Sequence, residues 1–468
     1  MTTIFHPHAP EGHRLEPIAL TPFEHYMLAD DRPSHSMTCH IRFWFRGVFN
    51  PDFFKKALAQ VLPRHPVFQM TVVGSPRKPT RKIYWHHPGQ LTMPFISWAA
   101  AEVPIDEPSG GFAQNIYKNI GLRFWIRDDQ QSDNPRTMML VQFHHSVCDG
   151  IGLFQFMEDL LIAYGSMAGV SVPPMRPIDP EAFFRRGDFG LTARDWAARR
   201  PIDVARAAKF FKSRARPLAY DRQKSASLPK TADLFASERF LLAPEVLGHL
   251  RSHARASNAS VNDVMIHDLF HTLADWNRAH GDTKQDIRVA MATSLRGPPE
   301  VSMSAANVVS MVFLNRSHRE IASQKLLASI VEETHLIKQY RLGVVLPRVI
   351  RRLGRYPGAI DQFLKIPICS ATAVLTNLGR PFADSPLTGP DGLLRVGSLT
   401  LESLETMPPV RPKTSASISV NYYGGSLSVT LRYDSTVFSR QQAVELLGNF
   451  TARLSSHQWS PFNSTGTV

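Results

Sequence analysis

Cysteine is scarce in this chain: three among 468 residues. Cys39, Cys148 and Cys369 lie far apart and no Cys-x-x-Cys occurs. That argues against a disulfide framework and a zinc site, and it fits a reducing compartment. No apolar run approaches the roughly 20 residues that a membrane-spanning helix needs. The stretch Met1 to Pro7 lacks a basic region followed by an apolar one, so no secretory signal is expected and the protein reads as cytoplasmic. Zinc-finger spacing, a glycine-rich RNA-binding signature and a single dense basic block are all missing, so no nucleic-acid partner is expected. No serine sits in a Gly-x-Ser-x-Gly setting, which leaves out a serine-hydrolase elbow. Internal repeats and low-complexity tracts are absent as well.

Acidic residues are in the minority, 40 against 53 Lys and Arg, for a net charge of +13. Such a balance attracts anions: phosphates, an acidic protein face or an anionic membrane surface. The rest of the composition is that of a globular protein, 43% apolar and 20% charged. The length suggests two or three domains. Prolines cluster at Pro173, Pro174, Pro177 and Pro180, then recur at Pro217 and Pro229. Residues 181–230 hold thirteen Lys or Arg against five Asp or Glu, so much of the positive charge is concentrated there. The expected organisation is a lobe over 1–175, a basic connection over 176–230 and a second lobe over 231–468.

Local patterns place the elements. Thr21-Pro22-Phe23-Glu24 is a capping box with proline at the first helical position. Ile41, Phe43 and Phe45 alternate with more polar neighbours, the period of a strand. Asn50-Pro51 opens a helix whose Phe54, Ala57, Leu58 and Val61 form an apolar stripe. Val67 to Val73 reads as a strand, residues 75–82 as a loop, and His86-His87 as part of a loop. Thr137 to Phe143 is a continuous apolar run, as in a buried strand. Phe154, Met157, Leu161 and Tyr164 then carry helical spacing. Leu191 to Arg216 reads as a basic helix. In the second half, strands are expected at Ser237–Leu242, Ile287–Thr293, Val308–Leu314 and Ala371–Leu375. Ser260 to Asp263 caps a helix, and 336–364 is amphipathic and basic, broken at Pro347 and Pro357. Gly424-Gly425 between alternating runs signals a hairpin, and Ser439 with Gln442 caps the last helix. His267 and His271 share a helix face, but no third metal ligand accompanies them.

The chemistry concentrates in His144-His145-Ser146-Val147-Cys148-Asp149-Gly150, between the apolar strand and the helix. An imidazole titrates near neutral pH, so it can take a proton from a neutral nucleophile and return it. Adjacent side chains on extended backbone point to opposite faces. His144 therefore reads as a core residue and His145 as the candidate base. Asp149 is either a carboxylate partner of His145 or a structural residue paired with an arginine of the second half. Gly150 permits a close approach or an unusual backbone angle. Cys148 as a nucleophile is the weaker alternative.

This run resembles the HHxxxDG motif of acyltransferases with the chloramphenicol-acetyltransferase-like fold. Those include condensation domains, polyketide-associated acyltransferases and wax ester synthase/diacylglycerol acyltransferases. Arg296 falls where such proteins place an arginine, at a strand end. Asn307 stands where they carry Gly-Asn, with Ala306 in place of the glycine. Thr376 to Gly379 is similar to their Ser-Asn-Leu-Gly run. The resemblance implies an α+β fold of two lobes, each a mixed, largely antiparallel sheet with flanking helices, forming a V around a central channel. It implies His145 as general base, and His144, Asp149, Gly150 and Arg296 as structural residues of the active site. Thr376, Asn377 and Asn307 become candidates for the channel or the oxyanion site. No cofactor or metal is expected. The donor is coenzyme A thioester as co-substrate, or the phosphopantetheine of an acidic carrier protein. An alcohol acceptor is preferred. The alternatives are a condensation-type enzyme forming an amide and a non-catalytic scaffold. The basic helices are candidates for donor phosphates, a carrier protein or peripheral membrane contact.

Overall fold

The computed structural model describes residues 17–74, 83–130, 132–197, 200–202, 204–205, 210, 215–220, 227–229, 231–282, 286–297, 302–356, 358–366 and 369–457. The amino terminus, the loop expected at 75–82, Pro357 and much of the basic helix expected over Leu191 to Arg216 lie outside that set. Of that helix, Ala193–Ala197 is seen as a short helical turn.

Two six-stranded sheets organise the molecule. The motif strand Arg136–His144 is central in the first. It pairs antiparallel with Thr38–Arg46 on one side and Leu122–Asp129 on the other. Phe95–Ala100 closes one edge in parallel. The other flank is filled by Leu399–Met407, which comes from the second half of the sequence and pairs antiparallel with Thr38–Arg46. This crossover strand was not legible in the sequence, and a register shift between Leu401 and Ser403 marks a bulge in it.

In the second sheet the order is Val309–Arg316, Ile287–Ser294, Ala373–Asn377, Ala416–Tyr423, Ser426–Tyr433 and Ser237–Leu242. Ala373–Asn377 runs parallel to both neighbours. Gly424 and Gly425 turn the hairpin with φ of +54° and +82°, the left-handed values that a tight hairpin turn demands. A small three-stranded sheet joins Ile18–Ala19, Tyr84–His86 and Thr71–Val73.

Each sheet buries one face against helices. Phe54, Leu58 and Val61 of the helix Pro51–Val61 meet Phe156 and Leu160 of the motif helix Gly150–Met167 in the first core. Leu269, Leu273, Leu447 and Phe450 do the same for the second. The motif helix is apolar nearly all round and correspondingly buried. The resulting architecture is α+β with two lobes. Capping boxes at Thr21, Ser260 and Ser439 are all formed.

Three local expectations fail. Pro66–Gln69 is a short 3-10 helix rather than the start of a strand, and only Thr71–Val73 is extended. The apolar run Val67-Phe68 satisfied either reading, and burial of both side chains decided it. Pro347 does not break the helix Val345–Leu353 but sits in its first turn, where no intrahelical partner is needed for its missing N–H. His86 ends a strand, and only His87 lies in the loop, where its Nδ1 accepts the Gly89 N–H at 3.0 Å.

Candidate functional site

The motif loop is held from three directions. The strand before it ends at His144, whose side chain is fully buried and whose Nδ1 lies 2.7 Å from Ser146 Oγ. The backbone N–H of His145 donates to Met37 O at 2.7 Å, anchoring the loop to the segment before Thr38–Arg46. Asn307 Nδ2 donates to His145 O at 2.5 Å from the second lobe. Backbone bonds thus fix the position of His145 on both sides of its Cα.

Asp149 caps the motif helix through Oδ1, which accepts the Gly152 N–H at 2.9 Å. Its Oδ2 accepts Arg296 Nη1 at 2.7 Å and the Val308 N–H at 2.8 Å. Arg296 also donates through Nη2 to Ala306 O at 3.0 Å. The carboxylate is therefore occupied by groups other than the His145 ring, in a charge-assisted junction between the lobes. Gly150 has an ordinary helical angle; a Cβ there would approach Leu378 Cδ2 to 3.0 Å. The tighter glycine is Gly152, where a Cβ would stand 2.8 Å from Ala306 O. No side chain fits there, so the helix and the 305–308 segment pack backbone to backbone.

His145, unlike His144, is only partly buried, and it lines an inter-lobe cavity of about 670 Å³. Its Nδ1 is buried beside the backbone of His145 and Cys148, so Nε2 is the nitrogen able to meet an incoming group. Burial holds the imidazole below its ordinary value of 6.5, against the opposing effects of nearby backbone groups and the Asp149 charge. The ring is therefore in its neutral form at physiological pH, the form that can accept a proton.

Asp149, Gly150, Arg296, Thr376 and Asn377 share the same cavity wall, whereas Asn307 is buried behind it. The Asn377 amide is engaged: Nδ2 donates to Asn262 Oδ1 at 3.3 Å, and Oδ1 accepts the Gly379 N–H at 2.9 Å. Thr376 carries no side-chain hydrogen bond among the described residues. Cys148 is fully buried, and burial pushes its thiol well above its ordinary value, so it supplies no thiolate. Among the described residues no group of His, Cys, Asp and Glu is arranged to hold a metal.

Several lining residues were missed in the sequence reading. Met27 and Met37 reach the site from the capped first helix and the turn after it. Arg32, Lys365, Arg411 and Lys413 lie along a basic rim. Arg411 Nε donates to Asp30 Oδ2 at 2.9 Å, and Arg32 Nη2 donates to Leu364 O at 3.1 Å. None of these four residues falls in a pattern that the sequence made legible.

No protein-family profile matches the sequence. An uncharacterized protein of Mycobacterium tuberculosis is 24% identical over 438 residues, covering 87% of this chain and 91% of the relative. Similar solved structures include the trichothecene 15-O-acetyltransferase of Fusarium sporotrichioides, at TM-score 0.67 and 11% identity over 98% of this chain and 100% of the other. The first condensation domain of the CDA synthetase matches at TM-score 0.65 and 16% identity, over 95% and 97% of the two chains. The starter condensation domain of rhizomide synthetase, solved as a mutant with C8-CoA, matches at TM-score 0.64 and 14% identity over 94% of each chain. The fold is accordingly the two-lobed one shared by condensation domains and chloramphenicol-acetyltransferase-like acyltransferases.

Proposed function

From the condensation-domain fold as premise, we propose that the protein is an acyltransferase that moves an acyl group from a thioester to an alcohol, with His145 as general base. The observation that carries this reading is a neutral, partly exposed imidazole on the wall of a cavity between the lobes. His145 Nε2 takes the proton of the acceptor hydroxyl as the oxygen attacks the thioester carbonyl. The C–S bond then breaks, and the same nitrogen returns the proton to the leaving thiolate. Holding both substrates in one cavity supplies proximity without a covalent enzyme intermediate.

The carbonyl oxygen gains charge during attack and needs donors already in position. The Thr376 hydroxyl suits this role because no other described residue uses it. The first amides of the motif helix, at Gly150 and Ile151, lie at the positive end of its dipole and complement Thr376. His144, Asp149 and Arg296 act by holding the loop. Asn307 does the same through the His145 carbonyl and is not assigned to the oxyanion.

Acyl coenzyme A is the preferred donor and supplies the thioester as co-substrate. A carrier-protein thioester with an amine acceptor is the second reading, favoured by the exposed cations Lys365 and Lys413 at the cavity rim. No described helix is long and apolar enough to cross a membrane, and the reading puts the enzyme in the cytoplasm, with any membrane contact peripheral. The test is acceptor-dependent release of free thiol. His145→Ala should lose turnover by a factor of at least about a hundred while the protein stays folded. Undiminished turnover in that variant would discard the proposal.

A further inference from the structure

The cavity is not uniform across its width. Its floor is one face of the second sheet, and the strand register resolves what lies where. Met311 pairs with Ala292, and Phe313 with Ala290. Val374 pairs with Ala290 on one side and Ser417 on the other, and Thr376 pairs with Ser419. The face thus runs from bulky apolar side chains on the edge strand, across two alanines, to hydroxyls on Ala416–Tyr423. These flanks are three strand spacings apart, about 14 Å.

The apolar flank forms a lane along the strand Val309–Arg316. Val309, Met311, Phe313 and Asn315 all line the cavity, so the lane follows seven residues of strand, about 20 Å. Opposite stand Phe23 and Met27 of the helix Pro22–Asp30, and Leu346 and Val349 of the helix Val345–Leu353. These elements share one apolar cluster with Val309 and Met311. Ala290 and Ala292 keep the lane open where larger residues would fill it. Apart from Asn315 at one end, the lane residues named here bear no polar side chain. Its methionines are unbranched and adapt to a flexible ligand.

We propose that this lane binds an extended, unbranched alkyl chain and that Ala290 and Ala292 set the length it accepts. The proposal rests on the acyl-transfer reading of the same cavity and narrows its substrate class to medium- and long-chain lipids. The chain is either the acyl tail of the donor or the tail of a fatty alcohol. Both present the same methylenes to the same walls, so binding must tell them apart.

The experiment is calorimetric titration of the whole protein with two series in the absence of a second substrate. One runs from acetyl- through butyryl- and octanoyl- to lauroyl-CoA, the other through the matching straight-chain alcohols. Affinity in one series should tighten about four-fold per added methylene, corresponding to about 0.8 kcal/mol, until the lane is full. Ala292→Phe should weaken the longest member at least about ten-fold and leave the shortest unchanged. Val349→Trp, on a surface helix, blocks the same lane and decides the matter if the sheet variant fails to fold. Affinity independent of length in both series would overturn the proposal. So would a length preference that persists in folded variants. Because binding involves no chemistry, failure here is distinct from an undiminished turnover in His145→Ala, which would remove the acyl-transfer reading alone.

Discussion

At the residue scale, the site depends on one imidazole kept neutral by burial and one carboxylate kept busy elsewhere. The active form of His145 is unprotonated, and its proton affinity is lowered, so the acid limb of kcat/KM should report an apparent pKa below 6.5. Rates should hold constant from neutrality down to that limb and then fall; a limb above 7 would show that the base is another group. Thr376→Val removes a hydroxyl without changing shape and should lower kcat roughly ten- to a hundred-fold with little change in KM. A loss confined to KM would reassign Thr376 to ground-state binding. For Asp149→Asn, the Arg296 guanidinium loses its charge partner in a site where both side chains are nearly buried. Breaking such a pair costs about 3–5 kcal/mol. The denaturation midpoint should drop accordingly, and an unchanged midpoint would mean that solvent compensates the arginine.

At the element scale, the last helix, Arg440–Ser456, is latched to its neighbours through histidines. His457 Nε2 lies 2.7 Å from Asp268 Oδ2, and His267 Nδ1 lies 3.0 Å from Oδ1. The His253 ring lies tilted against His457 at 4.3 Å, His271 lies beside His267, and Arg453 reaches Asp275. Burial lowers the proton affinity of His253 and His271, and the neighbouring His457 and His267 lower it further. Burial pushes the Asp268 carboxyl up, but hydrogen bonds from His267 and His457 outweigh it and hold the group below its ordinary value. The signs then separate. For the two lowered histidines the unfolded chain binds protons first, so their contribution is present above about pH 6.5 and is lost as the pH falls below it. The Asp268 contribution survives until far stronger acid. Hydrogen exchange over 440–456 should therefore accelerate, beyond its intrinsic pH dependence, between about pH 7 and pH 5. Protection that stays constant across that window would show that the latch does not titrate.

At the scale of the whole molecule, the lobes are tied together covalently and by pairing. Leu404 of the crossover strand is 1% exposed within the first lobe's core, though its chain belongs to the second half. Leu404→Ala should cost about 2–5 kcal/mol and lower the urea midpoint of both lobes in one transition. Two separated transitions would show that the lobes unfold independently. The cavity exists only because this arrangement holds: Met37, His145 and Thr406 approach it from one sheet, and Arg296, Thr376 and Ser417 from the other.

The sequence alone determined what a dozen neighbouring residues can encode. The buried motif strand and its helix were legible from apolar runs and spacing, the helix starts from their capping boxes, and the hairpin from its two glycines. Short-range physics acts on those positions whatever the rest of the chain does. Tertiary structure decided the rest. Val67-Phe68 satisfied both helix and strand rules until packing chose. Glu24 read as a helix cap, yet it is also the fully buried partner of Arg186, 162 residues away. The crossover strand, the basic rim and the two-sided cavity come from pairings between distant segments, and their energies depend on which chains meet rather than on any local period.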